Sequence, residues 1–155
     1  MKAEYVNAFL APSVRVLEKM ARTQVRVGKP RRVGDMLLDN RVSILIGVQG
    51  RLNGSVLLTG EKDVAARVCE RMLGAPVSGP EEVRAILAEL ANMIVGNATG
   101  HLYDLGIREG ITPPAVMEGP EVNLGFGEGM ESVLLPLETE AGRLDLVISL
   151  APEAP

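Results

Sequence analysis

Glu89 and Asn92 lie three residues apart in the segment A-E-L-A-N-M-I-V-G-N-A, residues 88–98. Side chains at this spacing are neighbours on one face of a helix. A carboxylate can pair with a cation, and an amide can donate and accept hydrogen bonds without changing its charge. One interpretation is therefore a docking surface with two working side chains.

A helix from about residue 80 to 104 is predicted to carry this pair, with Ser78 as its cap and Pro80 in its first turn. On a helical wheel the apolar side gives a core stripe of Val83, Ile86, Leu87, Leu90, Ile94 and His101. The other side surrounds Glu89 and Asn92 with small residues, which are Ala85, Ala88, Gly96, Thr99 and Gly100. Each glycine costs the helix about 1 kcal/mol relative to alanine.

Such a flat face allows two interpretations. It could receive another protein, or it could be packed beneath another part of its own chain. The spacing E-x-x-N alone is weak evidence, because E-Y-V-N recurs at residues 4–7, where we interpret it as incidental.

The remaining patterns indicate one domain over residues 1–155. Helical periodicity covers residues 3–22 and 61–73, and Gly74 ends the second of these helices. Alternating patterns predict strands at 24–33, 41–49, 111–118, 121–126, 131–138 and 143–150, with a hairpin where R-L-N-G turns into S-V-L-L. Because strands and helices do not alternate strictly, we expect an α/β (α+β) two-layer domain, with an antiparallel or mixed sheet and helices on one face.

Composition excludes several classes of partner. Apolar residues make up 46% of the chain, aromatic residues only 3%, and the net charge is −4. These values argue against nucleic acid binding, which uses cations and stacking rings. The basic cluster of Arg26, Lys29, Arg31 and Arg32 is interpreted as a solvated edge strand, although it could meet an acidic partner.

We expect a cytoplasmic protein, because neither a signal peptide nor a membrane span is visible in the sequence. The single cysteine, Cys69, is expected to be a buried small hydrophobe. His101 is expected to be structural, and Asn97 to bond a neighbouring loop. The glycines of G-F-G-E-G, residues 125–129, predict a hairpin turn, because no helix pattern follows them.

The segment I-L-A-E-L-A-N-M-I-V-G-N-A-T-G resembles the signature helix of the CheC/CheX/FliY phosphatases of bacterial chemotaxis, with the CheX branch closest. Four further segments are similar to that branch in the same order, namely E-Y-V-N-A-F, N-G-S-V-L-L, R-M-L-G and T-P-P-A-V-M-E-G. The family often has Asp or Ser four positions before the glutamate, where this chain has Ala85.

This resemblance implies removal of phosphate from the aspartyl phosphate of a CheY-type response regulator. Asn92 would then orient the attacking water, and Glu89 would pair with the regulator's lysine. The chain would need no cofactor of its own, because Mg²⁺ would belong to the regulator. The resemblance also implies a homodimer, with the terminal strands as candidate sheet-edge contacts. The alternative is a non-catalytic module that binds a receiver or serves the flagellar switch on the same fold.

Overall fold

The computed structural model describes residues 1–120 and 122–153. Its helices are α1 (Ala3–Met20), α2 (Lys62–Leu73) and α3 (Pro80–Asp104). Its strands are β1 (Arg26–Val27), β2 (Arg31–Arg32), β3 (Asp35–Leu37), β4 (Arg41–Gly50), β5 (Gly54–Glu61), β6 (Glu109–Ile111), β7 (Ala115–Met117), β8 (Asn123–Gly125), β9 (Glu131–Thr139) and β10 (Gly142–Leu150). The predicted helix–strand order is confirmed.

One antiparallel sheet forms the centre of the domain. Its strand order is β1-β9-β10-β5-β4-β6, with β2 also paired to β9 and β7 to β4. The predicted strand at 24–33 is instead two short strands on the β9 edge, and the one at 111–118 divides into β6 and β7. Thr112 lies between β6 and β7, and both its side chain and its backbone form hydrogen bonds with the backbone of Gly47.

Strand periodicity divides the buried residues into two cores, because successive side chains point to opposite faces of a sheet. In β10, Leu146 and Ile148 belong to the main core beneath the helices, whereas Val147 belongs to a second core on the other face. On the helical side, α3 packs on β4 and β6, α2 packs on β10 and β5, and α1 packs against α3. All three helices therefore cover one face, as expected.

A ribbon of β3 and β8 accompanies the second core, which contains Leu38, Leu57, Leu134 and Val147. The sequence analysis predicted no strand at β3, because three residues are too few to show an alternating pattern. The prediction of a hairpin turn at 125–129 was wrong. The strands on either side of this turn, β8 and β9, pair with β3 and β10 and not with each other.

The last strand is central and not an edge. Both sides of β10 are paired along its length, one with β9 and one with β5. The expectation that the terminal strands could form sheet-edge contacts is therefore wrong for β10. The outer side of β9 already pairs with β1 and β2.

No helix in the described part of the chain is long and apolar enough to cross a membrane.

A buried ion pair ties β4 to β10 on the face opposite the helices. Asp145 is 4% exposed and accepts hydrogen bonds from Arg41 at 3.0 Å and from Arg143 at 2.7 Å. Arg41 also donates to Thr59 at 3.0 Å. The side chain of Arg41 is only 18% exposed, whereas that of Arg143 is 44% exposed. Arg41 is therefore the arginine whose charge most needs the buried Asp145 carboxylate.

We expect Asp145→Asn to lower the free energy of unfolding by about 3 kcal/mol, because it leaves a largely buried guanidinium without a countercharge. Urea unfolding followed by circular dichroism measures this change. Asp39→Asn, at an exposed position before β4, is the matched control and should change stability little. Equal stability of the two variants would contradict the structural role of the pair.

Candidate functional site

The first turn of α3 combines several helix-start features. Gly79 occupies the N-cap position and Pro80 the first helical position. The backbone N–H of Ser78 donates to the Glu82 carboxylate at 2.8 Å. The predicted cap was therefore one residue too early, because Ser78 contributes its backbone and not its hydroxyl.

Burial of α3 is wider than the predicted core stripe. Val83, Leu87, Leu90 and Ile94 are buried as expected. A second row is also buried because α1 packs beside the sheet-facing side, and it consists of Ala91, Val95, Ala98 and Leu102. His101 was placed in the core stripe but is only half-buried, and its Nε2 lies 3.0 Å from the Arg15 guanidinium of α1.

The remaining face of α3 is open. Glu89 and Asn92 are both exposed, and neither side chain makes a hydrogen bond to any residue that the structure describes. Around them, Ala85, Gly96 and Gly100 are exposed, and Ala88 and Thr99 are half-buried. The described chain does not cover this face, which contradicts the interpretation of internal packing.

Gly96 and Gly100 are not required by the fold. A Cβ added at either position would have no atom within 4 Å among its non-local neighbours, and neither backbone has a positive φ. Two glycines in a helix interior together cost about 2 kcal/mol relative to alanine. Their effect is to lower the surface beside Asn92, so that another molecule can approach the helix backbone.

The other polar side chains of this region are occupied by their own helix. Asn97 Nδ2 donates to the Met93 carbonyl at 2.7 Å, and the Thr99 hydroxyl donates to the Gly96 carbonyl at 2.7 Å. The expectation that Asn97 bonds a neighbouring loop is therefore wrong. Unlike Asn97, Asn92 keeps its amide available to a partner.

A shallow groove of about 630 Å³ continues the open face towards the end of α3. It is lined by Gly96, Thr99, Gly100, Tyr103, Arg108 and Glu109. The sequence analysis missed its last three residues. Tyr103 could have been found, because it follows Asn92 by eleven residues, which is close to three helical turns. Arg108 and Glu109 lie beyond the helix, and only the fold brings them there.

Glu109 anchors the wall of the groove to the β4–β5 hairpin. Its Oε1 accepts a hydrogen bond from the Leu52 N–H at 2.6 Å. Its Oε2 is enclosed and has no hydrogen-bond partner among the described residues. Burial raises the pKa of this carboxyl above its ordinary value, although the backbone N–H groups of Leu52 and Arg51 oppose the shift.

Cys69 takes no part in this face. It is buried in the main core, and burial raises the pKa of its thiol to about 12. The prediction of a buried small hydrophobe is confirmed. Within residues 1–120 and 122–153, no group of three or more His, Cys, Asp or Glu is arranged to hold a metal ion.

The second E-x-x-N motif provides an internal comparison. Glu4 and Asn7 are exposed on α1, and Ala11 takes the place that Gly96 has after Asn92. One turn further on, α1 has Arg15, which contacts His101, where α3 has the open Gly100. The α1 motif therefore lacks the long open surface that follows Asn92.

Comparisons with known proteins place this fold among chemotaxis proteins. The family model described as chemotaxis phosphatase CheX matches residues 42–138. The CheY-P phosphatase CheX of Thermotoga maritima is 28% identical over 130 residues, which cover 82% of this chain and 84% of that protein.

Solved structures show the same architecture. A CheC-like superfamily protein from Shewanella sp. PV-4 superposes with a TM-score of 0.88 at 28% identity, covering 98% of this chain and 100% of that chain. A CheX–CheY–BeF₃–Mg²⁺ complex from Borrelia burgdorferi gives a TM-score of 0.79 at 23% identity, covering 96% and 98%. At that identity, the second match shows the fold alone.

We expect Glu109→Gln to remove a loss of folding stability that the wild type shows as pH rises. Because the folded-state pKa of Glu109 is raised, this group favours folding at low pH, and that contribution is lost as pH rises through the folded-state pKa. The free energy of unfolding of the wild type, relative to Glu109→Gln, should therefore fall as pH rises above about 4, the ordinary range of a glutamate carboxyl.

Urea unfolding of both proteins at a series of pH values measures this difference. A difference that rises with pH would show that hydrogen bonding to the carboxylate outweighs its burial.

Proposed function

This chain belongs to the chemotaxis phosphatase CheX family, and we propose that it hydrolyses the aspartyl phosphate of a CheY-type response regulator. Its relative from Thermotoga maritima is named a CheY-P phosphatase. The observation that carries the proposal is the open face of α3, where Glu89 and Asn92 are exposed and free of internal hydrogen bonds within the described chain.

Asn92 is proposed to orient the attacking water. Hydrolysis of a phosphoryl group depends on an in-line water and on charge compensation more than on covalent help from the protein. An amide can accept a hydrogen bond from the water and donate one to a phosphoryl oxygen, because it has both kinds of group. A carboxylate at this position would bring negative charge towards an anion. The low surface at Gly96 lets the short Asn92 side chain enter a partner's pocket.

Glu89 is proposed to pair with a lysine of the regulator. It lies one turn before Asn92 on the same face, so that both side chains would meet one partner surface. A charge-assisted hydrogen bond would fix the orientation of the docked regulator. It would also keep the Glu89 charge away from the phosphoryl group.

The required Mg²⁺ is proposed to belong to the regulator. The Borrelia burgdorferi structure contains CheX, CheY, BeF₃ and Mg²⁺ together. On this chain, the open face offers one carboxylate and one amide, and a lone carboxylate is a poor magnesium site. The chain would thus supply position and hydrogen bonds, and its partner would supply the cation.

We also propose a homodimer that forms through an outer edge of the sheet. With β10 in the centre, the candidate edges are those of β1 with β2 and of β6 with β7.

A cytoplasmic location, where response regulators would be met, remains part of the proposal.

We expect Asn92→Ala to reduce the hydrolysis rate at saturating regulator by about 100-fold or more, because the water loses its orientation. We expect Glu89→Ala to weaken binding by about tenfold or more, which is the scale of a charge-assisted hydrogen bond. The assay is the decay of a phosphorylated receiver domain from the same cell, with and without this protein.

Asn7→Ala and Glu4→Ala are matched controls, because they remove the same side chains at the same spacing from α1. Both should retain wild-type activity. A wild type that binds the activated receiver without speeding its decay would support the non-catalytic alternative. Equal losses in the α1 and α3 variants would contradict the assignment to α3.

We expect light scattering during size exclusion to give a mass of about twice the 16.5 kDa chain. A dimer through the β1–β2 edge brings like charges together, and it should therefore become tighter as salt is raised. A mass equal to one chain at micromolar concentration would contradict the dimer.

A further inference from the structure

Tyr103 is exposed in a chain that has few aromatic residues. The sequence contains two Tyr, two Phe and no Trp. Tyr5 and Phe9 are 3% and 0% exposed, and Phe126 packs against the second core. Tyr103, in contrast, is 62% exposed, so packing in the main core or the second core does not explain an aromatic residue at this position.

The position of Tyr103 is aligned with Asn92. Eleven helical residues correspond to a rise of about 16 Å and a rotation that returns to within about 20° of the starting direction. Both side chains therefore project from one side of α3, and the open Gly96 and Gly100 lie between them. A rigid partner that receives Asn92 in a pocket and follows the helix axis would reach Tyr103.

Arg108 reinforces this position from outside the helix. Its guanidinium lies 5.9 Å from the centroid of the Tyr103 ring, which is within the range of a cation–π contact. It comes back to the helix because Gly106, with φ of 81°, turns the chain and Ile107 is buried. Arg108 is exposed and forms no ion pair with a described residue, so its charge is available to a partner.

The neighbouring Glu109 does not neutralise that charge. Its carboxylate is turned towards the Leu52 N–H of the hairpin. The far end of the groove thus presents an aromatic ring and a cation, two residue types that often dominate the binding energy of protein interfaces.

We propose that Tyr103 and Arg108 form a second contact for the receiver domain, about three helical turns beyond Asn92. This inference rests on the proposed function, because the occupant is the same regulator that Asn92 would enter. The pair sets how tightly the regulator binds and does not take part in the chemistry. Arg108 would meet a carboxylate or a helix C-terminus on the regulator.

The test measures the decay of the phosphorylated receiver over a range of receiver concentrations. Tyr103→Ala and Arg108→Ala should each raise KM by about tenfold and leave kcat within about twofold. Leu37→Ala and Arg22→Ala are matched controls. Leu37 is also 62% exposed but lies in the β3–β8 ribbon, and Arg22 is an exposed arginine in the turn after α1. Both should keep the wild-type KM.

Gly100→Ala provides a second variant whose fold is not at risk. Its added Cβ enters the groove, meets no internal atom within 4 Å and improves helix propensity, so it should raise the melting temperature while it raises KM. A residue with a purely structural role would not give opposite changes in stability and affinity.

Binding of the BeF₃⁻-activated receiver, measured by calorimetry, separates the two proposals. Unchanged affinity in Tyr103→Ala and Arg108→Ala overturns the second contact, even if Asn92→Ala abolishes hydrolysis. Weakened affinity in both variants supports it, even if the wild type proves not to hydrolyse the phosphate. A lower kcat at unchanged KM would also overturn it.

Discussion

The confinement of α3 between two packed surfaces determines the rest of this structure. One side of the helix lies on β4 and β6, and another lies against α1. Leu90, Ile94 and Leu102 are fully buried as a result, and α3 cannot rotate without exposing them. Only a narrow strip of the helix remains open, so the direction in which Glu89 and Asn92 project is fixed by hydrophobic burial.

Much of the fold follows from periodicity that the sequence displays. The bounds of α2 and α3 and the positions of the four long strands rest on runs of eight or more residues, in which the 3.6- and 2-residue periods are visible. The open strip around Glu89 and Asn92 follows from the 3.6-residue period of α3, drawn as a helical wheel. The β3–β8 ribbon could not be predicted in this way, because β3 is three residues long and pairs with β8, which is far along the chain.

Prediction of the candidate site from the sequence is limited for a similar reason. A helical wheel places residues around one helix, and Tyr103 could be placed by extending it. It cannot place Arg108, which follows the helix and returns through the turn at Gly106. It also assigned His101 to the core, because the wheel shows the mean direction of burial and not which neighbour lies there. In the fold, that neighbour is the Arg15 side chain of α1.

The two open glycines lower the stability of this helix, and the proposed docking surface would explain why they are there. An alanine Cβ at Gly96 or Gly100 would meet no neighbouring atom within 4 Å and would stabilise the helix, so that stability alone favours replacement. This loss of helix stability fits the proposed docking surface, which would need a low helix backbone. A short amide such as Asn92 can reach a recessed phosphoryl group only if the helix backbone itself comes close to the partner. The same closeness would let a ring three turns away contribute binding energy without touching the reacting atoms. Asn92 would then reach the phosphoryl group and Tyr103 would add binding energy from another point of the same rigid helix. The helical rise would set the distance between the two contacts.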